Sequence, residues 1–318
     1  MPSDPMGEPP QPRRQDRAIL LLALLLSLSA CDPNTSRPPR PRPSAASPVP
    51  TPTPKGIATS APNPGPPATP AFTRIRLESP KDLLALQERL GPERFAEVLK
   101  LNRVDLAHAS KGDSLVLPPE GLDWQALSPF PAAWPEAADQ PKLLLVSLRL
   151  QAWAAYEAGS LVRWGPTSTG RKKSPTPVGL YHTNWCQKQR TSTFNDEWEL
   201  VWYINIHNAS GISLHQYELP GYPASHACAR LAPDDAEWIW RWCASWKLTR
   251  DERTVLQEGT PVVVFGAYGF GKPKPWKEAV EKPGAARLDP AEMAEALRVL
   301  REAVEPEIPD GAEEGVLE

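Results

Sequence analysis

The stretch Ser225-His226-Ala227-Cys228-Ala229-Arg230-Leu231 sets a thiol between an imidazole and a guanidinium, and a second imidazole, His215, stands thirteen positions before Cys228. Cys228 is the candidate nucleophile, and the chemistry that suits this set is acyl transfer through a thioester. A free cysteine, with a pKa of about 8.5, attacks poorly at neutral pH unless a nearby imidazole or positive field favours its thiolate. The expectation is therefore a thiol held low by its neighbours. A zinc site built from His207, His215, His226 and Cys228 would be the competing reading. These residues lack the paired Cys-x-x-Cys or His-x-x-x-His units of such sites, so neither a metal nor another cofactor is expected.

The chain that must position these groups has 318 residues, enough for about two domains. Its net charge of -3 and the absence of a basic stripe with interleaved aromatics point away from nucleic acid. Arg13, Arg14 and Arg17 precede an apolar run from Ala18 to Leu28 that is too short to span a bilayer comfortably. Leu28-Ser29-Ala30-Cys31 follows. This N-terminus resembles a bacterial lipoprotein signal, which implies cleavage after residue 30 and lipid on Cys31. Asp32 resembles an inner-membrane retention signal, although inner and outer membrane both stay open. The expected location is the cell envelope, as a periplasmic lipoprotein. In that oxidising setting Cys186 and Cys243 are either a disulfide pair or two small buried apolar residues; spacing does not decide.

Fourteen of the forty prolines fall between Pro33 and Pro70, so residues 31–71 read as an extended tether after the signal segment 1–30. Residues 72–120 form a small α+β unit. Phe72 to Leu77 alternates like a strand, and Ser79-Pro80-Lys81-Asp82 opens a helix that Gly91 stops. Pro92 opens a second helix, and Ser114 to Leu117 closes the unit as a strand. With Asn102 after the second helix and Gly112-x-x-Leu115-x-x-Pro118 at the end, the unit resembles a LysM module, which implies a grip on N-acetylglucosamine-containing glycan or a degenerate spacer. Residues 121–141 read as a linker. Residues 142–271 are strand-rich: Lys142 to Leu150 and Trp153 to Tyr156 as a hairpin-like pair, then Trp198 to Ile206 and Val262 to Phe265. A helix is expected from Pro233 to Trp246, with Trp238, Trp242 and Trp246 four apart on a core-facing stripe. Trp185, Trp198 and Trp202 are expected to wall the substrate cleft. In the acidic segment 272–318, Asp289-Pro290 opens an amphipathic helix with Met293, Leu297, Leu300 and Val304 on one face.

Three ordered motifs carry a family resemblance: Ser168-Thr169-Gly170, Thr176-Pro177-Val178-Gly179, and the strand-ending His215 followed by Leu219-Pro220-Gly221-Tyr222-Pro223-Ala224 and Ser225-His226-x-Cys228-x-Arg230-Leu231. Lys142 to Gly269 resembles an L,D-transpeptidase catalytic domain of the YkuD type. The resemblance implies a mostly β fold with one helix after the catalytic cysteine. It implies a site in which Cys228 is the nucleophile, His215 the base, His226 a scaffold for the loop with Ser225, and Arg230 a holder of substrate carboxylate. The amides of Ala227 and Cys228 would meet the oxyanion. The substrates it implies are peptidoglycan stem peptides and glycan, with loss of D-Ala from a stem tetrapeptide and cross-linking to an amine. A hydrolase on the same fold (an L,D-carboxypeptidase or endopeptidase) and a non-catalytic peptidoglycan-binding lipoprotein are the alternatives. Two positions depart from the family pattern, Ala227 and Gln216, where glycine is usual. The φ at Ala227 is expected to be negative, which would make the alanine harmless.

Overall fold

The computed structural model describes residues 72–110, 114–123, 125–192 and 199–308. The signal segment, Cys31 and the tether lie outside the described residues, as do Lys111 to Asp113, Trp198 and the last ten positions.

The described chain opens with β1 (Thr73–Arg76), α1 (Pro80–Asn102), α2 (Leu106–Ala109) and β2 (Ser114–Leu117). Asp82, three residues after the Ser79 cap, accepts the Ser79 amide at 2.7 Å, as the sequence pattern requires. The long helix breaks where expected, at Gly91 (φ 73), next to Pro92. β1 and β2 pair antiparallel, Thr73 opposite Leu117. Leu83, Leu86, Phe95, Val98 and Leu115 fill a small core beneath them. Buried Asn102 ties helix to strand by accepting the Val116 amide (2.9 Å) and donating to the Val116 carbonyl (2.8 Å).

The larger part is one nine-stranded sheet. Its members are β3 (Leu143–Ser147), β4 (Ala152–Glu157), β5 (Ser160–Ser168), β6 (Gly179–His182), β7 (Cys186–Thr191), β8 (Glu199–His207), β9 (Ile212–Gln216), β10 (Ala229–Leu231) and, after the helix α3 (Pro233–Trp242) and the short pair β11 (Lys247–Leu248) and β12 (Val255–Gln257), β13 (Pro261–Phe265). The spatial order is β6-β13-β3-β4-β5-β10-β9-β8-β7. β3 and β4 form the expected antiparallel pair. Two neighbours run parallel, β13 with β3 and β10 with β9. The second of these pairs positions the site. Two apolar clusters sandwich the sheet. One contains Leu143, Leu145, Trp164, Val263 and Phe265; the other contains Leu144, Val146, Trp153, Leu214 and Leu231, because successive strand residues face opposite sides.

The last elements are α4 (Pro275–Glu278) and α5 (Pro290–Arg301). Asp289 and Glu292 cap α5 reciprocally, and Ala296, Val299 and Leu300 bury against the first cluster. Residues 121–141, read as a linker, place Leu127, Phe130, Trp134 and Ala137 in the same cluster. Helix α3 ends at Trp242 rather than Trp246: Cys243 takes an extended backbone (φ -69, ψ 154), and the Trp246 amide donates instead to the Asn184 carbonyl at 2.9 Å. Trp238 and Trp242 stack at 5.2 Å and pack on the core side as expected, whereas Trp246 lies off the helix. Among the described residues no helix is long and apolar enough to cross a membrane.

Candidate active site

Parallel pairing of β9 and β10 sets Arg230 beside His215. Residues opposite one another in a ladder point to the same face, and so do residues two apart on a strand. Ser213 and His215 on one strand therefore share a face with Arg230 and with Cys228 just before the other. Ser213 Oγ donates to Cys228 Sγ at 3.3 Å, and the Cys228 thiol donates to the Gly211 carbonyl at 3.8 Å. Next along the sheet, β8 carries a bulge between Val201 and Ile204, with Trp202 at φ 54. Such bulges re-aim neighbouring side chains, and here Tyr203 joins Cys228, His215, His226, Ser225 and Arg230 around one cleft. Leu200 and Tyr217 complete its apolar wall, and Arg190 of β7 adds a second guanidinium.

His215, the expected base, is buried, with 4% of it exposed. Its Nδ1 lies 3.0 Å from the Gln216 carbonyl. A carbonyl only accepts, so Nδ1 carries the proton and Nε2 is the ring atom able to take another. Burial first, with the Arg230 charge adding to it, pushes the imidazole down to about 4, so His215 is neutral at pH 7. The thiol moves the other way. Enclosure of Cys228 raises it above the ordinary cysteine value, opposed by the Ser213 hydroxyl and by Arg230. The expected lowered thiol is thus corrected: desolvation outweighs the positive neighbours, and the resting pair is a neutral thiol with a neutral imidazole. Such a pair reacts by transferring the thiol proton as the sulfur attacks.

The turn before the nucleophile is held from both sides. Thr176 Oγ donates to the Ala227 carbonyl at 2.7 Å and accepts the Gly170 amide at 2.9 Å. Ser225 Oγ donates to the Cys228 carbonyl at 2.5 Å. A trans peptide points its N–H opposite to its C=O, so Thr176 fixes the direction of the Cys228 amide, the group suited to receive an oxyanion. Ser168 Oγ donates to the Tyr222 carbonyl (2.7 Å) and accepts the Ala224 amide (3.2 Å). The two upstream motifs are therefore braces of the loop. Ala227 sits at φ 82, which corrects the expectation of a negative angle: the turn keeps the left-handed geometry that glycine serves best, and alanine bears it with strain.

A third brace comes from the small N-terminal unit. The Asp105 carboxylate accepts the Leu219 amide at 2.8 Å, and the Asp105 amide donates to the Leu219 carbonyl at 3.0 Å. Val104 bridges Pro220, and Gly221 (φ 80) passes so close to Val104 that an added Cβ would lie 2.9 Å from it. Next to this contact the fully buried Arg103 donates to the carbonyls of Leu150, Lys100 and Leu101 between the rings of Trp164 and Trp276.

Of the residues singled out by sequence, Cys228, His215, Ser225, His226 and Arg230 meet at the cleft. Arg230 stacks on Tyr217 with its guanidinium 4.4 Å from the ring centre. His226 is held below its ordinary value by partial burial and by Arg171 and Arg230. His207 is placed elsewhere: Nδ1 contacts Ser210 Oγ at 2.7 Å, and the ring meets Tyr181 edge-on. Trp185 and Trp202 do not wall the cleft. Trp185 stacks on Tyr203, and Trp202 packs on Trp240. Ser213, Tyr203 and Asp105 were not found by sequence reasoning. Only Ser213 left a signal, standing two residues before His215 on a predicted strand.

A cysteine and a buried histidine line one cleft on a mostly antiparallel sheet, an arrangement suited to acyl transfer through a thioester. Residues 141–264 match the family model of the YkuD L,D-transpeptidase catalytic domain, which bears out the resemblance over the stretch from β3 into β13. Solved structures similar to the chain include an L,D-transpeptidase from Mycobacterium smegmatis (18% identity, 40% of this chain and 59% of that one, TM-score 0.32). Others are an L,D-transpeptidase from Stackebrandtia nassauensis (22%, 41% and 57%, TM-score 0.33) and one from Mycobacterium tuberculosis (21%, 40% and 58%, TM-score 0.31). The chain thus spans less than three-fifths of the length of each. No curated protein matches the chain.

Proposed function

We propose that this chain is a peptidoglycan L,D-transpeptidase working through a Cys228 thioester. The supporting observation is the parallel β9–β10 pair, which brings Cys228, His215 and Arg230 to one cleft, with Ser213 Oγ donating to the Cys228 sulfur. In the first half-reaction the Cys228 proton passes to His215 Nε2 while the sulfur attacks the carbonyl before the terminal D-Ala of a stem tetrapeptide. The Cys228 amide, aimed by Thr176, receives the developing oxyanion, and Arg230 draws the substrate carboxylate to the cleft. The C–N bond breaks, and D-Ala leaves as an amine with the proton from His215. In the second half-reaction the side-chain amine of a neighbouring stem attacks the thioester, His215 takes its proton, and the thiol is restored. Lipid on Cys31 would hold the protein in the bacterial envelope, and the N-terminal unit would meet glycan.

The test is covalent capture. A carbapenem-type β-lactam is expected to add one acyl group to the purified protein, seen by intact mass. Cys228→Ala should abolish the adduct, and His215→Ala should slow it by about a hundredfold or more. An adduct that survives the loss of Cys228 would remove the proposal.

A further inference from the structure

Cys186 and Cys243 lie apart from the Cys228 cleft, at the start of β7 and at the end of α3. The segments that carry them run side by side. Thr183 Oγ donates to the Ala244 carbonyl at 2.5 Å, and the Trp246 amide donates to the Asn184 carbonyl at 2.9 Å. Cys186 Sγ is 3.6 Å from Ser245 Oγ. Both cysteines are half-buried free thiols packed against the same apolar cluster. Hydrogen-bonded neighbouring segments run about 5 Å apart, within the roughly 4.4–6.8 Å between Cα atoms that a disulfide spans.

We propose that Cys186 and Cys243 form a reversible disulfide site whose oxidant is a disulfide-bearing thiol compound. The two thiols differ in a way that orders the steps. Cys186 is held below its ordinary value because the Cys243 thiol donates to it, while Cys243 is raised by that same bond and by burial. The Cys186 thiolate attacks one sulfur of the oxidant, forming a mixed disulfide and releasing one thiolate. Cys243 then gives up its proton and attacks the Cys186 sulfur, releasing the second thiolate. The two cysteines lose two electrons together, and the oxidant gains them. The bond would join the edge strand of the sheet to the helix that follows the nucleophile's own strand. From Cys186, β7 runs toward Arg190 and Ser192 at the rim of the cleft, so the cross-link would tie the strand that carries this rim to the end of α3. The proposal is independent of the reaction assigned to Cys228.

The full chain, incubated with oxidised glutathione, alkylated and cleaved to peptides, gives the direct readout by mass spectrometry. The expected product is one peptide pair joining Cys186 to Cys243, two hydrogens lighter than the sum of its parts and separated by dithiothreitol. In Cys243→Ser, Cys186 should stop at the glutathione adduct; in Cys186→Ser, Cys243 should remain an alkylatable thiol. Recovery of both cysteines singly alkylated from the oxidised wild-type protein would overturn the proposal, and so would a peptide pair joining either one to Cys228.

Discussion

Ala227 carries the most informative single angle in the site. Its φ of 82 places an L-residue in the left-handed region, at a cost of roughly 1–2 kcal/mol. Ala227→Gly should therefore raise stability, by about 1 kcal/mol after the greater freedom of glycine in the unfolded chain is offset, and leave acylation intact. Urea unfolding checks the first part, and no gain would mean the turn relaxes around alanine without strain. The buried base makes a pH prediction. His215 is neutral down to about 4, so adduct formation should hold nearly level from pH 7 to 5 and fall only as pH drops through about 4. An acid limb centred near 6.5 would contradict a desolvated imidazole. Stability follows the same group. Because its folded value is lowered, the unfolded chain binds the proton first, and stability declines as pH falls from about 6.5 toward 4. At this scale the sequence spoke through residue type: a thiol, two imidazoles and a guanidinium within one short stretch are visible as chemistry. The direction of the Cys228 shift was not, because burial is a property of the fold, and here it outweighs the neighbouring charge.

Elements explain why motifs far apart in the chain work together. Ser168, Thr176 and Asp105 each bind backbone of the loop that ends at Cys228, from three different parts of the chain. The first two belong to motifs that the sequence displays. Asp105 does not, since nothing in its neighbourhood announces a bond to Leu219, 114 positions away. Its pairing makes the N-terminal unit a support of the loop that ends at Cys228. Asp105→Ala should slow acylation of Cys228 by about tenfold, partly restored in Asp105→Asn, with a loss of about 1 kcal/mol from the missing helix cap. An unchanged rate would reduce the unit to a spacer. The strand pattern was legible because alternation and apolar runs are local. The tryptophan spacing carries the expected helix four residues past Trp242, whereas the backbone turns extended at Cys243 and the Trp246 amide bonds the Asn184 carbonyl.

At the scale of the whole molecule, the C-terminal segment belongs to the sheet. Arg149 binds Glu292 through two contacts of 2.6 Å, the Leu180 amide donates to the Val304 carbonyl at 2.7 Å, and α5 covers Leu143, Leu145 and Val263. Removing residues 288–318 should cost on the order of 5 kcal/mol from the lost apolar burial of Ala296, Val299 and Leu300 and the surface they cover, read as a large drop in thermal midpoint. An unchanged midpoint would make α5 an appendage. The amphipathic pattern after Asp289 disclosed the helix, but its docking site depended on long-range geometry.

The central claim is a Cys228 acyl-enzyme resolved by an amine. Its most direct test is mass spectrometry of the products after the purified protein meets disaccharide-tetrapeptide. The account predicts a cross-linked dimer that has lost one D-Ala, absent with Cys228→Ala. Tripeptide with free D-Ala and no dimer, even with acceptor amine in excess, would contradict transpeptidation and make the protein a hydrolase.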